Sequence, residues 1–568
     1  MKKLALLLAV MMLVVSVAGC GSNNAPATPA TSDSASSLPA TEGDGGAVTE
    51  PTAAAVSGIT SWDGKELSVI TGPDPDTIDP ALNSSVDGGT LIKHVFEGLY
   101  TMDENDKAVP GSAESVTISD DLLTYTFKIR DNAKWSDGQD LTAEDFVYSW
   151  KRAIDANTGA DYAYMYECIA GYDQTAPDKL GVKAVDAKTL EVKLVAPTAY
   201  FLELTAFPAY MPVRKDMVEA NGEKWAQQPE SYIGNGSYKV TEWVAGSHIL
   251  MAQNENYWNV SALKPTTIRF NLTDDDVAQL TNYKNGTTAF IDSVPNDEIE
   301  TLKQSPDFYV APQIGTYYIS YNVTKAPLDN PKVRQALTLA IDRDFIVTNV
   351  GKAEQEPAGA IVHPALSDVE PGSSFRDAKY NYYDPSFEAY EANLEEAKKI
   401  LAEAGYPNGE GFPTITYLYN VGTGHQLIGE ALQNMWKELG ITVNLESQEW
   451  NVFLNSRKNG DYFIARNGWL GDYNDPISFL DMWITDGGNN DAQWSNATFD
   501  ALIKEVKNTG DQKVRMQKMH EAEDIIFDEW MLCPLYYYTD IYMESPAITG
   551  TIKSPLGFKY FGFTVPKA

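Results

Sequence analysis

The 568-residue chain carries 43 Lys plus Arg against 79 Asp plus Glu, a formal charge of −36, which argues against nucleic acid or an anionic lipid surface as a partner. A hydrophobic fraction of 43%, with 31 Tyr and 12 Trp, allows a large core. Its three cysteines, Cys20, Cys168 and Cys533, make no disulfide framework, and Cys168 and Cys533 are expected to be free.

At the amino terminus, Lys2, Lys3, an apolar run over residues 4–17 and the sequence Val17-Ala18-Gly19-Cys20 have the layout of an export signal. The run is shorter than the ~20 residues a membrane span needs. Its end resembles a bacterial lipobox, which implies cleavage before Cys20 and lipid on that cysteine, an anchor that does not span the bilayer. The plainer alternative is a soluble secretory signal ending near Cys20. Residues 21–58 are Ala, Thr, Ser, Pro and Gly with scattered acids, too poor in large apolar residues to fold. As a tether of about forty residues they would reach roughly 35 Å. The folded part is expected to begin near Trp62, and the remaining residues suffice for two or three domains.

Residues 67–70 read as a strand running into a turn-rich loop, Gly72 to Pro80, and Leu91, Ile92, Val95 and Leu99 carry helical spacing over residues 91–100. Val116 and Ile118, then Tyr125, Phe127 and Ile129, alternate as a half-buried hairpin. Thr142 with Asp145 gives a capping-box-like helix start, followed by Phe146, Trp150 and Ile154 on one face. Asp329 or Asn330 caps a helix with Pro331 in its first turn and a buried stripe of Val333, Ala336, Leu337, Ala340 and Ile341. A strand over residues 414–419, a helix over 426–439 and a strand over 441–445 form a strand-helix-strand unit whose crossover should be parallel and right-handed. A further helix is expected over residues 451–458.

The most informative stretch is Arg466-Asn467-Gly468-Trp469-Leu470-Gly471-Asp472-Tyr473-Asn474-Asp475-Pro476. It follows a short apolar strand, residues 462–465, and its glycines, Asn and Asp-Pro pair read as a loop at that strand's carboxyl end. In open α/β sheets this is where ligands bind. Arg466 suits a carboxylate, Asp472 an ammonium, and the rings supply apolar walls, so the loop matches the two ends of a zwitterion. Taken alone it could equally be a surface turn with solvated charges and a packed tryptophan.

Three blocks resemble the extracellular solute-binding proteins of peptide ABC importers, the oligopeptide-binding family. They are residues 135–152, with W-S-D-G, T-A-E-D-F and Y-S-W in order; Gly234 to Val240, followed by Trp243 and Asn256-Tyr257-Trp258; and residues 315–337. The resemblance implies an α/β, periplasmic-binding-protein-like fold (type II, cluster C), with two lobes closing about a hinge and an extra domain. The expected divisions are signal peptide 1–19, lipidated cysteine and tether 20–60, lobe I at 61–95, 218–315 and 537–568, an extra domain at 96–217, and lobe III at 316–536. By the same resemblance Asp472 receives a peptide's α-ammonium and Arg466 the carboxylate of a short peptide. Trp469 and Trp450 match pocket aromatics, and Tyr473 and Asn474 share the motif around Asp472. Each tryptophan could instead serve only the core.

The implied function is that of a lipid-anchored, extracellular binding protein that passes short peptides to ABC permease and ATPase subunits. It is expected to be a monomer without cofactor, and periplasmic if the cell has two membranes. Relatives of this architecture also bind nickel chelates, haem, sugars, or cell-wall and signalling peptides. No nucleophile elbow, zinc-protease, phosphate-loop or dinucleotide motif is present, and His94, His248, His363, His425 and His520 lack metal-ligand spacing. Asp472 with Asp475 could form an acid-base pair for glycoside cleavage, with Trp469 as a sugar platform, a remote alternative.

Overall fold

The computed structural model describes residues 58–59, 61–370, 372–376 and 382–567. The expected export signal, Cys20 and the tether up to residue 57 lie outside the described residues.

The chain builds an eleven-stranded mixed sheet. At one end, strand Ile415–Asn420 is almost wholly buried and pairs in parallel with Val443–Gln448, Ile415 opposite Val443. The helix between them, Thr423–Lys437, lays Ile428, Leu432, Met435 and Trp436 against the sheet, and the Trp436 indole donates to Leu337 O at 2.9 Å. The apolar stripe at 3.6-residue period thus covers the buried strand Ile415–Asn420, while the edge strand Val443–Gln448 keeps Asn444, Glu446 and Ser447 in solvent. At the other end lie Glu66–Ile70, Thr267–Asn271, His248–Gln253 and Tyr238–Val244.

Two long antiparallel strands, Phe308–Tyr321 and Leu532–Glu544, sit at the centre and run through both halves. Their pairing runs from Phe308 opposite Met543 to Pro312 opposite Thr539, then breaks and resumes at Thr316 opposite Tyr537. Inside the break, the Ile314 N–H turns to Pro555 O at 2.8 Å. Beyond it, residues 315–321 pair with strand Ile464–Leu470, whereas Met543 and Glu544 pair with Phe290–Ile291. The result is two α/β lobes joined through strands whose ladder is interrupted between them.

A separate four-stranded antiparallel sheet, ordered Ala113–Ile118, Thr124–Ile129, Thr189–Lys193, Val182–Asp186, is packed by helix Ala143–Ile154. The expected capping box is present, with the Thr142 N–H on Asp145 Oδ2 at 2.8 Å. Fully buried Trp150 donates its indole N–H to Tyr210 O at 2.8 Å. Asn330 caps helix Pro331–Leu339 through the Lys332 N–H at 3.0 Å. Cys168 and Cys533 are buried, free thiols.

Two elements differ from their sequence reading. The first helix spans Val86–Val95, started by Ser85, rather than residues 91–100. It stops because Phe96 turns extended and carries Glu97 into a buried nest where Tyr257, Trp258 and Ser112 donate to its carboxylate. The second is the stretch after residue 463. Strand Ile464–Leu470 contains Arg466, Asn467, Gly468 and Trp469, so the loop opens only at Gly471. Gly468 stays in the ladder because the Tyr538 hydroxyl lies where its side chain would be, 2.2 Å from an ideal Cβ.

Candidate ligand-binding cleft

A cavity of about 720 Å³ opens between the lobes. It is lined by the loop and helix start at residues 71–87, by Asp161 and Tyr162 beside the small sheet, by Trp450 and residues 454–458, by residues 466–472, and by Tyr538 to Ile541 of a central strand. The site therefore draws on every part of the fold.

Strand pairing fixes the key residues. Arg466 stands opposite Ile319 and Trp469 opposite Thr316. Along the strand, half-buried Arg466, Gly468 and Leu470 alternate with buried Ala465, Asn467 and Trp469, the period of two that a pleated strand imposes. The Arg466 guanidinium lies 5.4 Å from the Tyr317 ring centre and 5.8 Å from that of Trp450. Burial disfavours its charge, but Tyr538, Tyr317, Tyr536 and Tyr417 more than offset this, so it remains a cation.

The other three cavity cations are already matched. Arg457 pairs with Asp491 at 3.5 Å, Lys458 with Asp161 at 2.6 Å, and Lys559 with Asp540 and Asp292 at 3.0 and 3.4 Å. Among the described residues lining the cavity, Arg466 is the cation without a carboxylate partner.

Asp472 follows two residues past the strand. Its Oδ1 accepts from the Tyr162 hydroxyl at 3.0 Å and its Oδ2 from Ser478 Oγ at 3.3 Å, while its own N–H donates to Ser478 Oγ at 2.8 Å. No cation pairs with it among the described residues. Burial, reinforced by nearby Asp481, holds its carboxyl well above the usual range, against the hydrogen bonds from Tyr162 and Ser478. A cationic group entering the cavity would relieve that cost.

The expected aromatics divide. Trp450 opens helix Trp450–Lys458 and lines the cavity half-buried; Trp469 lines it while buried, its indole N–H on Ser478 O at 2.7 Å. Tyr473 and Asn474 do not line this cavity. Tyr473 stacks on Tyr200 at 4.7 Å, and exposed Asn474 donates its backbone N–H to Glu203 at 3.0 Å. Asp475 is also withdrawn: Arg515 holds it in a bidentate pair at 3.0 and 3.1 Å, so Asp472 and Asp475 do not form a catalytic acid pair. Tyr162, Asp161 and Lys559 carried no sequence signal, because they come from parts of the chain remote from the 466–476 motif. Among the described residues, no group of three His, Cys, Asp or Glu side chains could hold a metal.

Two lobes, a shared interrupted sheet and a charge-lined cleft between the lobes define a solute-binding protein of the periplasmic type. The family described as bacterial extracellular solute-binding proteins, family 5 (middle region), matches residues 107–491. An oligopeptide-binding protein, OppA, of Bacillus subtilis (strain 168) is 36% identical over 509 residues, 87% of this chain and 91% of its own. This chain belongs to the bacterial extracellular solute-binding proteins, family 5.

Among solved structures, Haemophilus influenzae OppA in complex with RPPGFSPFR aligns with a TM-score of 0.83 at 29% identity, covering 89% of this chain and 100% of that one. The Escherichia coli murein tripeptide-binding protein MppA also gives 0.83, at 31% identity, covering 89% and 99%. The unliganded open form of MppA, at the same 31% identity and covering 90% and 99%, gives 0.61. With sequence similarity equal, the drop reflects lobe placement, and the present arrangement is not that of the open form.

Proposed function

We propose that this protein is the substrate-binding component of an ABC importer that captures short peptides by their backbone and termini and delivers them to a permease. One observation carries the reading: a carboxylate without a cation, Asp472, and a cation without a carboxylate, Arg466, come from one strand and its following turn and line one cavity. Six residues of near-extended chain separate them, at most ~20 Å, a span that suits the two charged ends of a peptide of a few residues. The binding of a peptide by the H. influenzae relative supports it.

Closing lobes are part of the same reading. Lobe I comprises residues 61–95, 218–315 and 537–568, lobe III residues 316–536, and an extra domain residues 96–217. The break between Pro312 and Thr316 falls beside the 315/316 boundary and supports that division. Lipid on Cys20 would hold the monomer at the outer face of the membrane. A peptide held by its backbone and both termini leaves the side-chain pockets free to adapt through water, which lets one site accept many sequences.

Native mass spectrometry of the soluble part, starting near Trp62 and purified without refolding, tests the ligand class. Residues Ala55–Ala568 make one compact unit, so this piece contains the whole cleft. A ladder of extra masses corresponding to peptides of roughly two to six residues is expected. One discrete non-peptide mass would instead identify a specialised solute and overturn the peptide reading.

A further inference from the structure

The cavity holds a second carboxylate that its surroundings leave uncompensated. Asp87 sits in the first turn of helix Val86–Val95 and lines the cavity opposite the helix that begins at Trp450. Its Oδ2 is shielded from solvent and makes no hydrogen bond within 3.5 Å; the Trp450 indole N–H, itself otherwise unbonded, is the donor turned toward the carboxylate. No lysine or arginine pairs with Asp87 among the described residues. Gly72 fixes its position: that glycine has φ +148°, and a side chain there would meet Asp87 Cβ at 2.9 Å.

A buried carboxylate with an empty oxygen costs stability and contributes nothing to packing. Burial, opposed by Ser85, the helix amides and the Trp450 indole N–H, raises its carboxyl to about 6, which leaves it charged at neutral pH. The wider cavity adds to the field: it is lined by ten acidic side chains and four basic ones, and Asp472 and Asp87 both lack a basic partner within it. An acidic cavity with a carboxylate that no lysine or arginine pairs is a fitting environment for an ammonium or guanidinium, which gains an ion pair there.

We propose that Asp87 and Trp450 form a side-chain subsite that selects peptides carrying a Lys or Arg residue, separate from the contact of Asp472 with the α-ammonium. Arg466 already lies 5.8 Å from the Trp450 ring centre, so the ligand's cation pairs with Asp87 and Trp450 serves as an apolar wall. This rests on the peptide reading given above, and the test separates the two.

The experiment is isothermal titration calorimetry of the full-length protein in detergent, stripped of bound ligand, with Ala-Ala-Ala, Ala-Lys-Ala, Ala-Ala-Lys and Ala-Glu-Ala at pH 7.5. At least one lysine peptide should bind about tenfold more tightly than trialanine, and the glutamate peptide more weakly than trialanine. In Asp87→Asn the lysine-to-alanine affinity ratio should fall to about one. Equal affinities for lysine and alanine peptides in the unaltered protein overturn the subsite whatever the variant does, as does a ratio that survives Asp87→Asn. Trialanine binding without discrimination leaves the peptide reading standing and removes only the subsite. No binding of any of the four peptides overturns both.

Discussion

The Tyr162 hydroxyl donates to Asp472 Oδ1 at 3.0 Å across 310 residues of chain. Tyr162 comes from beside the small antiparallel sheet, Asp472 from the turn after Ile464–Leu470, and the tyrosine ring leans on Trp469 at 6.2 Å. One carboxylate is thus oriented from two parts of the fold that this arrangement of the lobes brings together, which fixes its direction for a charged recognition contact.

Asp472→Ala should abolish peptide binding, with a loss of at least ~100-fold, because the ligand ammonium would be buried without its counter-charge. The ligand-free variant should melt no lower than the parent, since the substitution removes a buried carboxylate that lacks a cation. Calorimetry and a thermal melt check the two halves. Unchanged affinity with an unchanged melting temperature would sink the assignment.

Arg466→Lys keeps a charge but loses the planar fork, so a free-acid tripeptide should bind roughly tenfold more weakly. The same tripeptide amidated at its carboxyl end should hardly distinguish the two proteins. Equal losses for both peptides would mean that Arg466 meets something other than the terminal carboxylate.

Gly468→Ala places a methyl 2.2 Å from the Tyr538 hydroxyl, a separation that forces the ring or the strand to move. Because Tyr538 lines the cavity, both stability and affinity should fall, the former by about 1–3 kcal/mol. Chemical denaturation measures the first, and a denaturation midpoint equal to the parent's would contradict the expected clash.

Arg515→Ala leaves Asp475 buried without its bidentate partner, and should cost about 3–5 kcal/mol. Replacing both residues by apolar side chains should restore most of that loss, which a double-mutant cycle in urea would detect.

Asp87→Asn should raise the melting temperature of the ligand-free protein at pH 7.5, with the gain fading toward pH 4. Burial holds the folded-state carboxyl at about 6, against 3.8 for an ordinary aspartate, so the folded protein takes up the proton before the unfolded chain does. The cost of the charged form is therefore fully present above about pH 6 and absent below 3.8. A gain on the order of 1–3 kcal/mol is expected at pH 7.5. Melts at both pH values decide it, and a gain that is equal at the two would refute the titration argument.

Sequence reading placed the elements whose signals are local. Thr142 and Asp145 lie three residues apart and make their own capping box, and Asn330-Pro331 opens its helix as written. It missed where the first helix starts, since the apolar spacing begins only at Leu91 while Ser85 caps the helix six residues earlier. It also read Arg466 to Trp469 as loop, because the residue that makes a glycine necessary in that strand is Tyr538, seventy residues further on. Of the six residues expected from one motif and its family context, Asp472, Arg466, Trp469 and Trp450 line the cavity and Tyr473 and Asn474 do not. Tyr162, Asp87 and the ion pairs that occupy the other cations could not be named from it, because their roles come from burial and from contacts between distant segments.

The break in the central ladder has a consequence for how strength and choice of ligand are divided. Ile314 lies in it without lining the cavity. Substitutions there would change the fraction of molecules in the closed form, and that fraction multiplies the intrinsic affinity for every ligand alike. Overall avidity and rank order among peptides are then set by different residues, so a lineage can retune one while leaving the other untouched.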